Sequence, residues 1–182
     1  MKYQISAVQR HFFEKNKYIE FEQMLTLDEQ ILLSLAYEKA ARDVAISNQK
    51  VQKVLFSPRF GQIAYELSLV KPLRYGLDEI ITETSSFSCY KDERCVQGLE
   101  IAVLLYINPN EAKAGNALFF LPSESYEADI FDAKQTWLVL GFANKDALYV
   151  CNLKDPHTHN LKRQGYVFGD RLKEKTHPVL WR

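Results

Sequence analysis

Between Glu100 and Ser125 the apolar positions fall into two blocks separated by a polar turn. Ile101 to Ile107 is a nearly unbroken aliphatic and aromatic run. It is too short for a membrane span and suits a strand covered on both faces. Pro109, Asn110 and the cluster Ala114-Gly115-Asn116 supply turn chemistry, because Gly and Asn tolerate positive φ. Ala117 to Leu121 resumes the run and Pro122 stops it, so the pattern predicts a buried β-hairpin. Thr136 to Phe142 and Tyr166 to Phe168 read as further strands, and Asp146 to Cys151 as a strand entered from a turn.

The first half has a different rhythm. Val8, Phe12 and Phe13 give a helical spacing over Ser6 to Lys15, and Tyr18 to Phe21 alternates as a short strand does. Thr26 and Glu29 form a Thr-x-x-Glu capping box ahead of Ile31, Leu32, Leu35, Ala36 and Ala40, which predicts a helix from Leu27 to Val44. Gln49 to Phe56 reads as a strand or loop. Ser57 and Pro58 read as N-cap and first position of a helix running through Ile63, Leu67 and Leu69, with Pro72 ending it. Leu73 to Ile81 reads as a further short helix that buttresses a sheet. Tyr126 to Asp132 reads as a loop or short helix, and Trp181 as packing on the N-terminal helices or on a partner.

Composition narrows the classes. The 182 residues fit one domain, with 47% hydrophobic and 25% charged residues. The expected division is a mainly helical part over 1–83, jelly-roll strands over 84–170 and a tail over 171–182. Basic and acidic residues number 23 each, so no global field favours nucleic acid, and a nucleic-acid partner is not expected. No signal-peptide core or membrane span is seen, which sets a cytoplasmic expectation with no membrane contact. Cys89, Cys95 and Cys151, an odd set in a domain of adequate size, read as reduced thiols.

The wording of two stretches carries a family resemblance. The hairpin, with its Asn-Pro, acidic turn and Gly115-Asn116-Ala117-Leu118-Phe119-Phe120-Leu121-Pro122-Ser123, resembles the central hairpin of iron(II)/2-oxoglutarate-dependent oxygenases of the phytanoyl-CoA dioxygenase type. The segment from His11 to Ile19, followed by Leu25-Thr26-Leu27-Asp28-Glu29, is similar to the N-terminal part of the same family. The resemblance implies an α+β fold: a double-stranded β-helix (jelly-roll) core with N-terminal helices packed against it. It also implies a facial triad of two His and one carboxylate holding Fe(II), with 2-oxoglutarate bound beside it.

The family's first two ligands form a His-x-Asp or His-x-Glu pair, and here that window is Thr84 to Arg94, which has no histidine. Either Ser86-Phe87-Ser88 or Tyr90-Lys91-Asp92 takes its place, leaving Asp92 as the carboxylate candidate. His157 and His159 stand near the distal His, and Asn160 near the family's Asn. Arg163, with Arg171 as alternative, stands where the family binds 2-oxoglutarate. Each has a plainer reading: Asp155 to Asn160 as a surface turn, Asp92 in a solvated charged run, Arg163 as a surface residue. Cys89, Cys95, His157 and His159 form a conceivable zinc set, although the spacing is not that of a usual knuckle.

The sequence therefore predicts a divergent member of this fold that lacks most iron-binding residues. Such a protein is not expected to be a conventional hydroxylase; a small-molecule or peptide ligand in the barrel fits better. The alternatives are an active oxygenase using Asp92, His157 and His159 with Fe(II) and 2-oxoglutarate, and a metal-responsive transcriptional regulator.

Overall fold

The computed structural model describes residues 4–81, 89–126 and 136–182. Among these, five α-helices precede most of a six-stranded antiparallel sheet: α1 Ala7–Asn16, β1 Tyr18–Phe21, α2 Leu27–Tyr37, α3 Val44–Ser47, α4 Gln49–Leu55, α5 Pro58–Ser68, β2 Leu73–Ile81, β3 Val96–Tyr106, β4 Ala117–Phe120, β5 Trp137–Tyr149 and β6 Val179–Trp181. The strand order is β1-β4-β3-β5-β2-β6.

The expected hairpin forms the middle of this sheet. Ala102 to Leu105 pair with Phe120 to Ala117, and β1 adds to the outer edge of β4 with Tyr18 opposite Phe120. The unbroken apolar run follows from burial of both sheet faces. Ile101, Val103, Leu105 and Ile107 face the helices, with Phe119, Leu138 and Leu140. Ala102, Leu104 and Tyr106 face the other way, into a cluster with Phe120, Trp137 and Tyr149. Tyr90, Tyr126, Leu161, Tyr166 and Leu172, all from outside the strands, close over that second face. Gly115 makes the turn possible. It sits at φ +84°, and a Cβ there would lie 2.8 Å from the Leu25 carbonyl oxygen.

α1 and α2 begin where expected. Both have full capping boxes, Ser6 with Gln9 and Thr26 with Glu29. Their buried faces differ from the predicted ones: Phe13 is buried while Val8 and Phe12 point outward, and in α2 Gln30, Leu33 and Tyr37 face inward while Ile31 and Leu35 are exposed.

Four predicted elements are corrected. α2 stops at Tyr37 instead of Val44, because the chain is drawn onto the edge of β2. Ile80 donates to the Ala41 carbonyl at 2.8 Å and Asp43 to the Asp78 carbonyl at 2.9 Å. Gln49 to Phe56 is largely helix, not strand or loop. Asn48 accepts from the amides of Lys50 and Val51, and Val51, Val54 and Leu55 are buried at helical spacing. Leu73 to Ile81 is a strand between β5 and β6 rather than a helix. Tyr166 to Phe168 is irregular and caps the second face instead of joining the sheet.

Smaller departures follow. Ser57 makes no side-chain cap bond, although Pro58 opens α5 as expected. Asp146 lies within the long strand β5, so no turn separates Thr136–Phe142 from the segment ending at Cys151. Trp181 packs on α5, stacked 6.3 Å from Tyr65. The stretch expected as a loop or short helix from Tyr126 lies, beyond Tyr126, outside the described residues.

Candidate functional site

β2 carries two adjacent carboxylates, and the sheet sends them to opposite faces. The register against β5 slips between Tyr75 and Leu77, so Tyr75 packs with the helices and Leu77 with the second face. Gly76 allows this close crossing, since a Cβ there would lie 2.7 Å from Leu99 Cδ2. Asp78 then points among the helices. It accepts from the Tyr37 hydroxyl, from the Tyr75 hydroxyl at 2.7 Å, and from the amides of Val44 and Ala45 at 2.8 and 3.0 Å. Burial pushes its pKa up, and these four donors partly offset the rise.

Glu79 points the other way, into a buried group of charges. It accepts from the Tyr90 hydroxyl, from Arg94 Nε at 2.5 Å and from Arg42 at 3.4 Å. The Arg42 side chain is 1% exposed and also donates to both oxygens of Asp155, at 2.7 and 2.8 Å. Asp155 accepts further from the amides of Cys95 and His157, at 2.6 and 2.8 Å. Burial alone would raise its pKa; Arg42 and those amides hold it below the usual carboxylate range. Arg42 thus joins the segment after α2, strand β2 and the turn after β5 at one point.

Asp43 is the least satisfied member. Its backbone is left-handed at φ 57°, and Arg42 Nε lies 3.9 Å away. Burial pushes its carboxyl up to about 7; Arg42 opposes the rise, while Asp78 and Glu79 add to it and a bond from Asn160 lowers it. Asp43 lines a small cleft with Arg42, Ser47, Asn160 and Arg163. A second buried titratable group, His177, stacks on Tyr75 and shares a 2.9 Å hydrogen bond between Nδ1 and the Tyr166 hydroxyl. Burial, helped by Arg74, takes its pKa down to about 3.

The candidates from sequence lie around this centre. Asp92 is exposed on a one-turn 3₁₀ helix, Tyr90–Glu93, and accepts from the Cys89 thiol at 2.9 Å. His157 is half-buried in the turn after β5, and exposed His159 lies against the Phe168 ring. Arg163 is exposed on a second 3₁₀ turn, Asn160–Gln164, beside the Asp43 cleft. Asn152 ties two of these segments together, donating to the backbone carbonyls of Asp92 and Arg94 at 2.9 and 3.1 Å. Residues 84–88 of the expected ligand window lie outside the described residues.

Among the described residues no three or more His, Cys, Asp or Glu side chains converge as a metal site. The donors present also fit an iron triad or a thiolate zinc site poorly. Asp92 holds a thiol proton, which raises the pKa of Cys89. Cys95 is buried, and burial pushes its thiol up to about 12, whereas a metal ligand must be a thiolate. Sequence reading missed Arg42, Asp43, Glu79 and Asp155, because nothing in their local pattern sets them apart from surface charges.

A larger cleft, about 490 Å³, lies beside the 3₁₀ turn Tyr90–Glu93. Lys91, Asp92, Arg94, Val96 to Glu100, Val150 and Asn152 line it.

No protein-family model matches the chain, and no curated protein matches it. Solved structures do. SnoK, a non-heme α-ketoglutarate-dependent carbocyclase from nogalamycin biosynthesis, matches with TM-score 0.74 at 14% identity over 96% of each chain. HygX from Streptomyces hygroscopicus, solved with iron bound, matches with TM-score 0.58 at 10% identity over 92% of this chain and 98% of that one. CT296 from Chlamydia trachomatis matches with TM-score 0.59 at 23% identity over 79% of this chain and 97% of that one. The chain therefore has an α+β fold of the type found in 2-oxoglutarate-dependent enzymes. Among the described residues no helix is long and apolar enough to cross a membrane.

Proposed function

We propose that the chain is a divergent relative of the phytanoyl-CoA dioxygenase-like oxygenases whose jelly-roll scaffold serves binding rather than conventional hydroxylation. One observation carries this reading. With helices covering one sheet face, the cup of a jelly roll belongs on the other, and that face is filled with Tyr90, Tyr106, Phe120, Trp137 and Tyr149, each at most 2% exposed. The Arg42–Asp155–Glu79 charges seal the face further. Ligands would then meet the rims and edges of the sheet, as a small molecule or a peptide does.

The rival is an active oxygenase with an altered metal set drawn from Asp92, His157 and His159, with Arg163 at the co-substrate. The Asn152 link between the Asp92 and His157 segments favours it. Anaerobic titration of Fe(II) into metal-free protein with 2-oxoglutarate present separates the two. The binding reading expects no charge-transfer band, and no succinate once oxygen is admitted. A band that disappears in His157→Ala or Asp92→Ala overturns it.

A further inference from the structure

β3 is eleven residues long, but β4 covers only Ala102 to Leu105 of one edge, because Pro122 follows soon after β4 ends. Among the described residues, Val96 to Ile101 have no strand partner on that edge, and no turn or loop hydrogen-bonds to their backbone. The cleft of about 490 Å³ lies along this stretch, touching five consecutive residues from Val96 to Glu100. Side chains in a strand alternate between faces, so a cleft that meets consecutive residues follows the strand's edge, where backbone N–H and C=O groups are presented. The 3₁₀ turn Tyr90–Glu93 forms its wall, held by the Lys91 amide on the Pro122 carbonyl at 2.9 Å.

We propose that this edge takes an extended peptide as an added strand, with a basic side chain over the cleft. Strand addition suits an open edge because backbone bonds supply affinity whatever the sequence, while the walls select side chains. Six residues of edge span roughly 20 Å, ample for a short extended segment. The walls set the preference for a basic residue. Arg94 is neutralised by Glu79 at 2.5 Å. Among the described residues the lining charges without an ion-pair partner are then Lys91, Asp92 and Glu100, one positive against two negative. β3 itself is irregular over this stretch, its register against β5 slipping between Gln97 and Leu99 and again between Leu99 and Ile101, which discourages indiscriminate pairing along its free edge.

The proposal rests on the binding reading and names its ligand. The test is an amide-resolved NMR titration of the full chain with the acetylated, amidated peptide Thr-Val-Lys-Val-Lys-Val-Thr. The expected result is shift changes concentrated in the amides of residues 91–101. Methylating alternate peptide nitrogens should weaken binding about tenfold or more, since several backbone bonds are lost together. Replacing both peptide lysines by glutamate should weaken it severalfold, and Glu100→Lys should reverse that preference. Shifts elsewhere, no shifts at millimolar peptide, or equal binding of the methylated peptide overturns the proposal. So does concentration-dependent broadening of residues 96–101 without peptide, which would give the edge to a second copy of the chain. A failed peptide titration with no iron band sinks this inference alone; an iron band sinks the reading beneath it.

Discussion

Asp78 and Glu79 are neighbours in one strand, yet they live under different chemistry. Asp78 sits where regular helices cover the sheet, and two hydroxyls and two amides satisfy it without any opposite charge. Glu79 sits where irregular segments cover the sheet, and two guanidiniums hold it. A helix brings its own hydrogen-bond ladder and needs only apolar burial to dock. A turn brings no ladder, so this fold pins its turns with buried charge. The first face should therefore respond to changes in volume, and the second to changes in charge.

The largest test of that contrast is Arg42→Ala. It leaves Asp155 and Glu79 buried without their shared partner, and the expected loss is about 3–5 kcal/mol in urea unfolding. A loss under about 1 kcal/mol would mean that the second face is held by its aromatic packing alone. Replacing Arg42 by Met together with Asp155 by Leu should restore only part of the difference: the charge at position 155 is no longer stranded, but Glu79 loses one guanidinium and the amides of Cys95 and His157 lose their acceptor.

On the helical side, Leu33→Ala removes a fully buried side chain, with an expected cost of about 3 kcal/mol. That cost should be the same at pH 5 and pH 8, since no titrating group loses a partner. A strong pH dependence of the Leu33→Ala effect would blur the two faces into one.

A smaller effect, visible only by scanning pH, is expected at Asp43. Its folded pKa, about 7, lies above the ordinary aspartate value of 3.8. The folded state therefore keeps a proton that the unfolded chain has lost, and this contribution is full below about 4 and falls away as pH rises through about 7. Asp43→Asn should flatten that decline. His177 works in the opposite sense: its depressed pKa of about 3 gives stability above the ordinary histidine range that is lost as pH falls. If Asp43→Asn leaves the pH profile above 5 unchanged, Asp43 is already ionised and paired in the folded protein.

The smallest effect belongs to Asn48→Ala, which removes the cap of α4. About 1 kcal/mol is expected, independent of pH. A neutral result would show that burial of Val51, Val54 and Leu55 fixes that helix unaided.

How much of this was legible follows from distance along the chain. The hairpin, β1 and the capped starts of α1 and α2 depend on residues within a few positions, so their signals survive in the sequence. α4 was hidden because its valines resemble a strand, although Asn48 and the spacing of Val51, Val54 and Leu55 mark a helix. β2 was hidden because its apolar residues change faces at Gly76, which erases the alternation a strand normally shows. The charged centre left no trace at all: Arg42 and Asp155 are 113 positions apart, and each stands in an ordinary polar stretch. Of the candidate stretches, Asp155 to Asn160, read plainly as a surface turn, does contain a turn, but Asp155 and Thr158 within it are buried.

The strand order has a consequence for how the molecule comes together. β1 belongs to the first twenty-odd residues but can pair only after β4 exists, and β2 likewise waits for β5. Four of the five helices lie between these early strands, and all five are too short to persist on their own in water. The β3–β4 hairpin, whose partners are close in sequence, is then the natural nucleus, and the amino-terminal half condenses onto it afterwards. Folding of this kind belongs to the slow end of single-domain rates, milliseconds to seconds, because long loops must close before their contacts repay the lost freedom.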